Sequence, residues 1–272
     1  MSSLEQQYYE HDAFWNPDTG PLNQIDQQRI KDIYKLVPSG VRSILDVGCG
    51  NGIFCNFVKQ QNPALKIVGL DRSAGALRYV LTEKVRSEIT DIPFPDKSFD
   101  CVTSLEVIEH LPLPIYRAAL QEIARISRRY IIISVPNNQQ LGHGQTECPE
   151  CKSKFDPDLH VRSYNVPNMQ SLFSDFGYRC QRVEAIGRLS FFRGVTAYSN
   201  YILSRLPPAM LSPVCPICGY ENREFASTLE LYFPQPRGES IPPRSSFPKS
   251  LIKKYWPKVV TYKWLMALYE RT

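Results

Sequence analysis

Four of the eight cysteines fall into two pairs with the same C-x-x-C spacing. The stretch CPEC supplies Cys148 and Cys151, and CPIC supplies Cys215 and Cys218. Turns of this kind aim two thiolates at one ion, so the four together could form a tetrahedral, all-sulfur zinc site with no open position and hence a structural role. A redox dithiol and a disulfide are the alternatives, although a redox C-x-x-C normally begins a helix.

A second stretch, ILDVGCGNGIFCNF, combines an apolar run, three alternating glycines and an apolar helical pattern. A turn without side-chain bulk lets the backbone approach a ligand and exposes the free N–H groups of the following helix. The dinucleotide fingerprint would need its third glycine at position 53, where Ile53 stands. This mismatch argues against a nicotinamide or flavin cofactor.

The glycines at 48, 50 and 52, preceded by Asp46, resemble the first motif of class I S-adenosylmethionine-dependent methyltransferases. Four further stretches match that family in order, and the resemblance covers residues 40 to about 187: VGLDRS, ITDIPFPDKSFDCVTS, SLEVIEHL and SVPN. Taken singly, a glycine turn is often only a tight connection, and an acid at a strand end is often a helix cap. The order of the matches favours a cofactor site.

The resemblance implies a role for each matched residue. Asp71 would accept both ribose hydroxyls, Asp91 would accept the adenine amino group with Ile92 beside the ring, and SLEVIEHL would line the methionine end. The expected cofactor contacts are therefore Asp46, Gly48, Gly50, Asn51, Gly52, Asp71, Arg72, Asp91, Ile92, Leu105 and Glu106.

Methyl transfer is an in-line displacement, to which orientation can contribute roughly 7–11 kcal/mol, and a hydroxyl acceptor also benefits from a general base. The candidate bases are His160, His110 and Glu109. His160 is favoured because histidine titrates near neutral pH and because DLHVRSY resembles an H-x-R-x-(F/Y) segment of small-molecule members. A zinc ligand or a loop histidine is the alternative for His160, and a helix-start carboxylate for Glu109.

Short β-branched runs alternate with helical patterns, which predicts an α/β, Rossmann-like, mostly parallel sheet of seven strands with helices on both faces. Strands are predicted at 43–48, 66–71, 85–89, 99–104, 129–135, 178–187 and 261–270, the last with a short helix as its alternative. Helices are predicted at 51–60, 73–82 and 115–127, with a further one that begins near Pro167 and is closed by Gly177.

A single domain over 1–272 is expected, with its core at about 30–136, 166–187 and 258–272. Both cysteine pairs follow parallel strands, so the insertions 137–165 and 188–257 should meet at the carboxyl edge of the sheet as a zinc-bound cap. The aromatic-rich segment 1–29, through Tyr9, is expected to form a lid over the cofactor; simple docking on the sheet is the alternative.

The charge and the apolar runs of the sequence indicate which kinds of partner to expect. A net charge of +5 with scattered Lys and Arg does not indicate nucleic acid, and the apolar runs are too short to span a bilayer. No signal-peptide pattern opens the sequence, so a cytoplasmic protein is expected. The expected acceptor is a hydroxyl of a small metabolite, sugar or lipid-linked precursor; RNA methylation and a non-catalytic, zinc-stabilised binding protein are the alternatives.

Overall fold

A seven-stranded sheet organises the chain. The computed structural model describes residues 9–10, 15, 24–139, 141, 146–155, 158–192, 215, 217–220 and 258–272. The strands are β1 Ser43–Val47, β2 Lys66–Asp71, β3 Glu83–Arg86, β4 Phe99–Leu105, β5 Ser127–Pro136, β8 Tyr178–Phe192 and β9 Lys258–Arg271, with a separate hairpin of β6 Thr146–Glu147 and β7 Lys154–Phe155. The order across the sheet is β3-β2-β1-β4-β5-β9-β8, and β9 runs opposite to the other six strands.

Helices cover both faces of the sheet. In the described parts they are α1 Gln24–Lys35, α2 Ile53–Gln61, α3 Ala74–Leu77, α4 Leu113–Ile126 and α5 Val166–Ser171, with 3-10 turns at Ile108–His110 and Ser174–Phe176. Side chains alternate across β5: Ile131 and Ile133 join the core beneath α4 and α5, whereas Ile132 joins the core beneath α1 and α2. The Rossmann-like, mostly parallel fold predicted from the sequence is confirmed.

Two boundaries in the β2–β3 region were predicted wrongly. The helix expected over 73–82 ends at Leu77, and the strand expected over 85–89 occupies Glu83–Arg86. Beyond Leu77, side chains bind the backbone. The Asn56 amide binds the backbone of Tyr79 and Leu81, and the Lys84 ammonium binds the Leu77 and Val80 carbonyls. The chain leaves the helix early, so β3 starts two residues sooner.

The C-terminal segment is a strand, as the period-two pattern predicted, and not a short helix. β9 lies between β5 and β8 and pairs antiparallel with both. Tyr269 anchors it: its ring is fully buried against Phe173, and its hydroxyl donates to the Met169 carbonyl at 2.5 Å. Through Tyr269, β9 therefore packs against helix α5, while its pairing with β8 holds the edge strand in the sheet.

Within the described residues, no helix combines the length and apolar character that crossing a membrane requires.

The burial of Tyr269 predicts a large loss of stability on truncation. Tyr269→Ala should lower the free energy of unfolding by about 3–5 kcal/mol, because it leaves a cavity against Phe173 and removes the hydrogen bond to the Met169 carbonyl. Tyr262→Ala, on the same strand but 38% exposed, is the control and should change it by less than about 1 kcal/mol. Urea unfolding measures both, and equal effects would contradict the placement of β9.

Candidate active site

The glycine turn joins β1 to α2 in a backbone conformation that side chains disfavour. Gly48, Gly50 and Gly52 have φ of 73°, 54° and 77°. A Cβ on Gly48 would lie 2.5 Å from Val107 Cγ2, and one on Gly52 would lie 2.9 Å from Val80 Cγ2. Both the left-handed backbone and the close neighbours therefore require glycine here.

Asp71, the last residue of β2, holds this turn. Its Oδ2 accepts from the Gly50 N–H at 2.8 Å, and its Oδ1 accepts from the Ser73 N–H at 2.8 Å. Burial raises the pKa of this carboxyl group. Since a carboxylate can accept about four hydrogen bonds, each oxygen keeps capacity for a ligand hydroxyl.

Asp46 lies behind the turn. It is 3% exposed and accepts from the Thr103 hydroxyl at 2.6 Å, while the Cys55 thiol lies 3.5 Å from its other oxygen. Burial raises the pKa of Asp46 to about 6. The structure therefore gives Asp46 a position that supports the turn.

A first cavity opens between the glycine turn and the ends of β2, β3 and β4. It is lined by Tyr9, Trp15, Gly48, Leu70, Asp71, Arg72, Ser87, Glu88, Ile89, Glu106, Val107, His110, Leu111 and Ile115. Four of the expected cofactor contacts are in its wall: Gly48, Asp71, Arg72 and Glu106. The other seven do not line it: Asp46, Gly50, Asn51, Gly52, Asp91, Ile92 and Leu105.

The residues after β3 line this cavity in place of the pair expected from the sequence. Asp91 is exposed, and Ile92 is buried in the core with its N–H donating to Glu122. Ser87, Glu88 and Ile89 directly follow the observed end of β3 and form the cavity wall. The resemblance of ITDIPFPDKSFDCVTS to the family favoured Asp91 and Ile92, whereas residues 87–89 fell inside a predicted strand.

The N-terminal segment reaches over the turn. The Glu10 carboxylate accepts from the Ala74 and Gly75 N–H groups at 3.1 and 2.9 Å and pairs with Arg86. The Trp15 ring lies against Gly50, where a Cβ would approach it to 2.8 Å. Both contacts fix the aromatic wall that Tyr9 and Trp15 give to the first cavity.

A second cavity adjoins the first on the side of β5 and β9. It is lined by Tyr9, Asp26, Arg29, Glu106, His110, Pro136, Asn137, Gln139, Asp158, His160, Thr261, Tyr262, Lys263 and Trp264. The two cavities share Tyr9, Glu106 and His110. The two cavities are therefore adjacent at these three residues.

Glu106 is positioned at the junction by its own backbone. It has a φ of 58°, its N–H donates to the Ser134 carbonyl, and its carboxylate accepts from the Ser134 hydroxyl at 3.0 Å. Arg29 lies 3.5 Å away across the second cavity. Burial raises the pKa of Glu106.

The three candidate bases form one cluster at the junction. Glu109 is fully buried, and neither of its carboxylate oxygens has a hydrogen-bond partner among the described residues. His160 Nε2 lies 4.0 Å from Glu109 Oε1, and the rings of His160 and His110 are 4.5 Å apart. Burial raises the pKa of Glu109 well above its usual range and lowers that of His110 to about 3, so it disfavours a charge on either side chain.

The four paired cysteines converge, although 63 residues separate the two pairs in sequence. One sulfur from each lies within 4.8 Å of the other three, with Cys148 and Cys218 sulfurs 3.7 Å apart and Cys151 and Cys215 sulfurs 3.8 Å apart. A disulfide needs about 2.05 Å, so these thiols are free.

The two cysteine turns share one backbone pattern. The Cys148 N–H donates to the Ser153 carbonyl and its carbonyl accepts from Lys152; Cys215 does the same with Tyr220 and Gly219. Lys152 and Gly219 both have positive φ, 59° and 75°. Each turn thereby directs its two sulfurs toward the other pair.

Comparison with known proteins adds the family. A family profile described as "Methyltransferase domain" matches residues 23–183, more than half of the chain. An uncharacterized protein of Methanocaldococcus jannaschii is 38% identical over 60% of this chain and 75% of its own length. The ubiquinone biosynthesis O-methyltransferase of Albidiferax ferrireducens is 30% identical over 35% of this chain. The chain spans 41% of that enzyme's length.

Solved structures share the fold at low identity. A chain of the complex between the Haloferax volcanii Trm112 methyltransferase activator and a methyltransferase aligns with a TM-score of 0.55 and 16% identity, over 97% of this chain and 96% of that one. A SAM-dependent methyltransferase of Archaeoglobus fulgidus aligns with a TM-score of 0.53 and 15% identity, over 98% and 97%. The chain therefore belongs to the methyltransferase-domain family, and it is an S-adenosylmethionine-dependent methyltransferase of class I.

Proposed function

We propose that this protein transfers a methyl group from S-adenosylmethionine in the first cavity to a hydroxyl of a small molecule in the second. The observation that carries the proposal is the wall of Tyr9, Glu106 and His110 that the two cavities share. A donor and an acceptor on either side of it would be held close enough for displacement, and orientation of this kind can contribute roughly 7–11 kcal/mol.

The first cavity offers contacts for each part of the cofactor. Asp71 retains capacity for two ribose hydroxyls beside the glycine turn. Glu88 stands at the far rim, where its carboxylate would accept from the adenine amino group, with Ile89 against the ring. The methionine end would then point toward Glu106, whose carboxylate suits the cofactor's ammonium group.

With no ion bound at the cluster of Glu109, His110 and His160, the proton of the acceptor hydroxyl would leave toward His160. His160 lines the second cavity and His110 lines both, so the two imidazoles lie on the acceptor's side of the methyl group. As the new C–O bond forms, the C–S bond breaks and its electron pair returns to sulfur, leaving S-adenosylhomocysteine.

Relatives with named acceptors support oxygen as the target. Matches include a ubiquinone biosynthesis O-methyltransferase and the fatty-acid O-methyltransferase of Mycolicibacterium smegmatis. RNA finds less support, because Arg29 and Lys263 on the second cavity lie 3.5 and 3.8 Å from the carboxylates of Glu106 and Asp26. Charges already matched in this way offer little to a phosphate backbone.

We also propose that the cysteine cluster binds one structural zinc ion. Zinc–sulfur bonds of about 2.3 Å in a tetrahedron place neighbouring sulfurs about 3.8 Å apart, which agrees with the observed 3.7 and 3.8 Å. Free thiols of this kind persist in a reducing compartment, which fits the cytoplasm.

The zinc would order the acceptor side of the site. Leu159 packs on the small core formed by Cys148, Phe155 and Cys215, and His110 has a hydrogen bond with the Leu159 backbone. His160 follows directly in the chain. The segments 137–165 and 188–257 thus remain our proposed cap, although much of the second lies outside the described residues.

Cofactor binding distinguishes the two acids after β3. Isothermal calorimetry should show S-adenosylmethionine binding to the unmodified protein, about tenfold or more weaker in Glu88→Ala because a hydrogen bond to a charged group is lost. Asp91→Ala, also an exposed acid but outside the cavity, is the matched control and should bind normally. If Asp91→Ala alone weakened binding, Asp91 and not Glu88 would be the contact of the adenine amino group. If the unmodified protein did not bind S-adenosylmethionine, the non-catalytic alternative would be favoured.

Metal analysis tests the zinc. Cys148→Ser should lower the zinc content by one equivalent, since three thiolates no longer complete the tetrahedron. Cys180→Ser, at a partly buried cysteine outside the cluster, should retain the content of the unmodified protein. Equal zinc in both variants would disprove the proposed site.

Asp46→Asn tests whether burial disfavours the charged form of this carboxyl group. The folded pKa of about 6 exceeds the model-peptide value of 3.8, so the cost of the buried charge develops as the pH rises from 3.8 to 6 and is complete above 6. The variant should gain on the order of 2–3 kcal/mol in free energy of unfolding at pH 8, a gain that shrinks as pH falls through 6 and vanishes below 3.8. Urea unfolding at pH 8 and 5 measures this; a loss of stability at pH 8 would refute it.

A further inference from the structure

We infer that Glu109, His110 and His160 together bind a divalent transition-metal ion of the zinc class, at the junction of the two cavities. One carboxylate oxygen and one nitrogen from each imidazole lie within 4.8 Å of one another. Two imidazoles and a carboxylate, with a position left for substrate, are a common ligand set for such ions. The placement of the acceptor beside the ion rests on the proposed function, but the binding of the ion does not.

The buried carboxylate of Glu109 is the observation that favours a cation. Its side chain is fully buried, and within the described residues both carboxylate oxygens lack a hydrogen-bond partner. An isolated charge in such a place costs several kcal/mol, and even the neutral acid leaves its polar atoms unsatisfied. A bound metal ion would satisfy this carboxylate.

His160 is positioned from its other ring nitrogen. His160 Nδ1 is hydrogen bonded to the Gln139 side-chain oxygen, and its Nε2 lies 4.0 Å from Glu109 Oε1. Metal-bound histidines commonly donate their other ring N–H to an oxygen in this way.

The surrounding charges favour a cation. Glu106 and Asp158 both add negative potential at Glu109, and Arg29 opposes them. Metal–ligand bonds of about 2.0–2.1 Å place tetrahedral ligand atoms about 3.4 Å apart. The candidate ligand atoms lie within 4.8 Å of one another, so no pair needs to close by more than about 1.4 Å. Side-chain rotations of Glu109 and the imidazoles can supply that movement.

In this arrangement the acceptor oxygen would occupy the open position on the ion. The metal would lower the pKa of that hydroxyl, its proton would pass to solvent, and the oxygen would attack the sulfonium methyl. Atoms and charge balance as alcohol plus S-adenosylmethionine giving methyl ether, S-adenosylhomocysteine and one proton.

The test adds Co²⁺ alone to the full chain carrying one equivalent of zinc, the amount that the cysteine cluster would hold, and records visible absorption. Binding at this site should give d–d bands without the near-ultraviolet thiolate charge-transfer band that exchange into the cysteine cluster would give. Affinity should fall about 100-fold or more in His160→Ala and Glu109→Gln, and 10- to 100-fold in Gln139→Ala. Asp26→Asn removes a carboxylate of the same cavity and should stay within about twofold.

A thermal shift separates metal binding from failure to fold. Without metal, Glu109→Gln should melt no lower than the unmodified protein, because the amide keeps the shape of the side chain and carries no charge; Co²⁺ should raise the melting temperature of the unmodified protein and of Asp26→Asn, but not that of Glu109→Gln. Absence of d–d bands, or equal cobalt affinity in all variants, would overturn the inference. Calorimetry of S-adenosylmethionine on the same samples keeps the two proposals distinct, because intact cofactor binding without cobalt binding would sink the metal site alone.

Discussion

The carboxylate of Asp71 is the joint on which the site depends. It connects the end of β2 to the glycine turn through the Gly50 N–H and to the start of α3 through the Ser73 N–H. The glycine turn and the connection from β2 to α3, which lie 21 residues apart at Gly50 and Asp71, thereby keep fixed positions around one opening in the sheet. The turn can take this shape only because its glycines tolerate a left-handed backbone.

Sheet order explains why the two cavities meet. Strands β1 and β4 are neighbours, and the chain leaves them in opposite directions along the sheet, so a crevice opens at their carboxyl ends. The loop after β4 carries Glu106 and His110 into that crevice, and β9 adds Trp264 and Lys263 on the far side. The fold itself does not decide the chemistry, since the [4+2]-cyclase SpnF aligns with a TM-score of 0.55.

Much of this arrangement could be predicted from local sequence patterns. Alternating apolar residues identified β9, and the glycine spacing identified the turn, because both features are set by the backbone. The bounds of α3 and β3 could not be predicted to the residue, since the backbone between them is held by Asn56, a tertiary contact from another helix. Convergence of Glu109, His110 and His160 was likewise unpredictable, although each was chosen separately as a candidate base.

The two proposed metal sites are neighbours along the chain. Leu159 packs against the cysteine cluster and His160 follows it directly, so order in the proposed cap would be transmitted to the second cavity through adjacent residues. A structural ion would hold the segment, and the ion at Glu109 would meet the substrate.

A crystal structure with S-adenosylhomocysteine would show whether the first cavity binds the cofactor through Asp71. We expect ribose hydroxyls within hydrogen-bond distance of both Asp71 oxygens, the adenine ring against Ile89, and the sulfur facing the wall formed by Glu106 and His110. A nucleoside bound away from Asp71, or a first cavity filled by Trp15 with the ligand elsewhere, would contradict it.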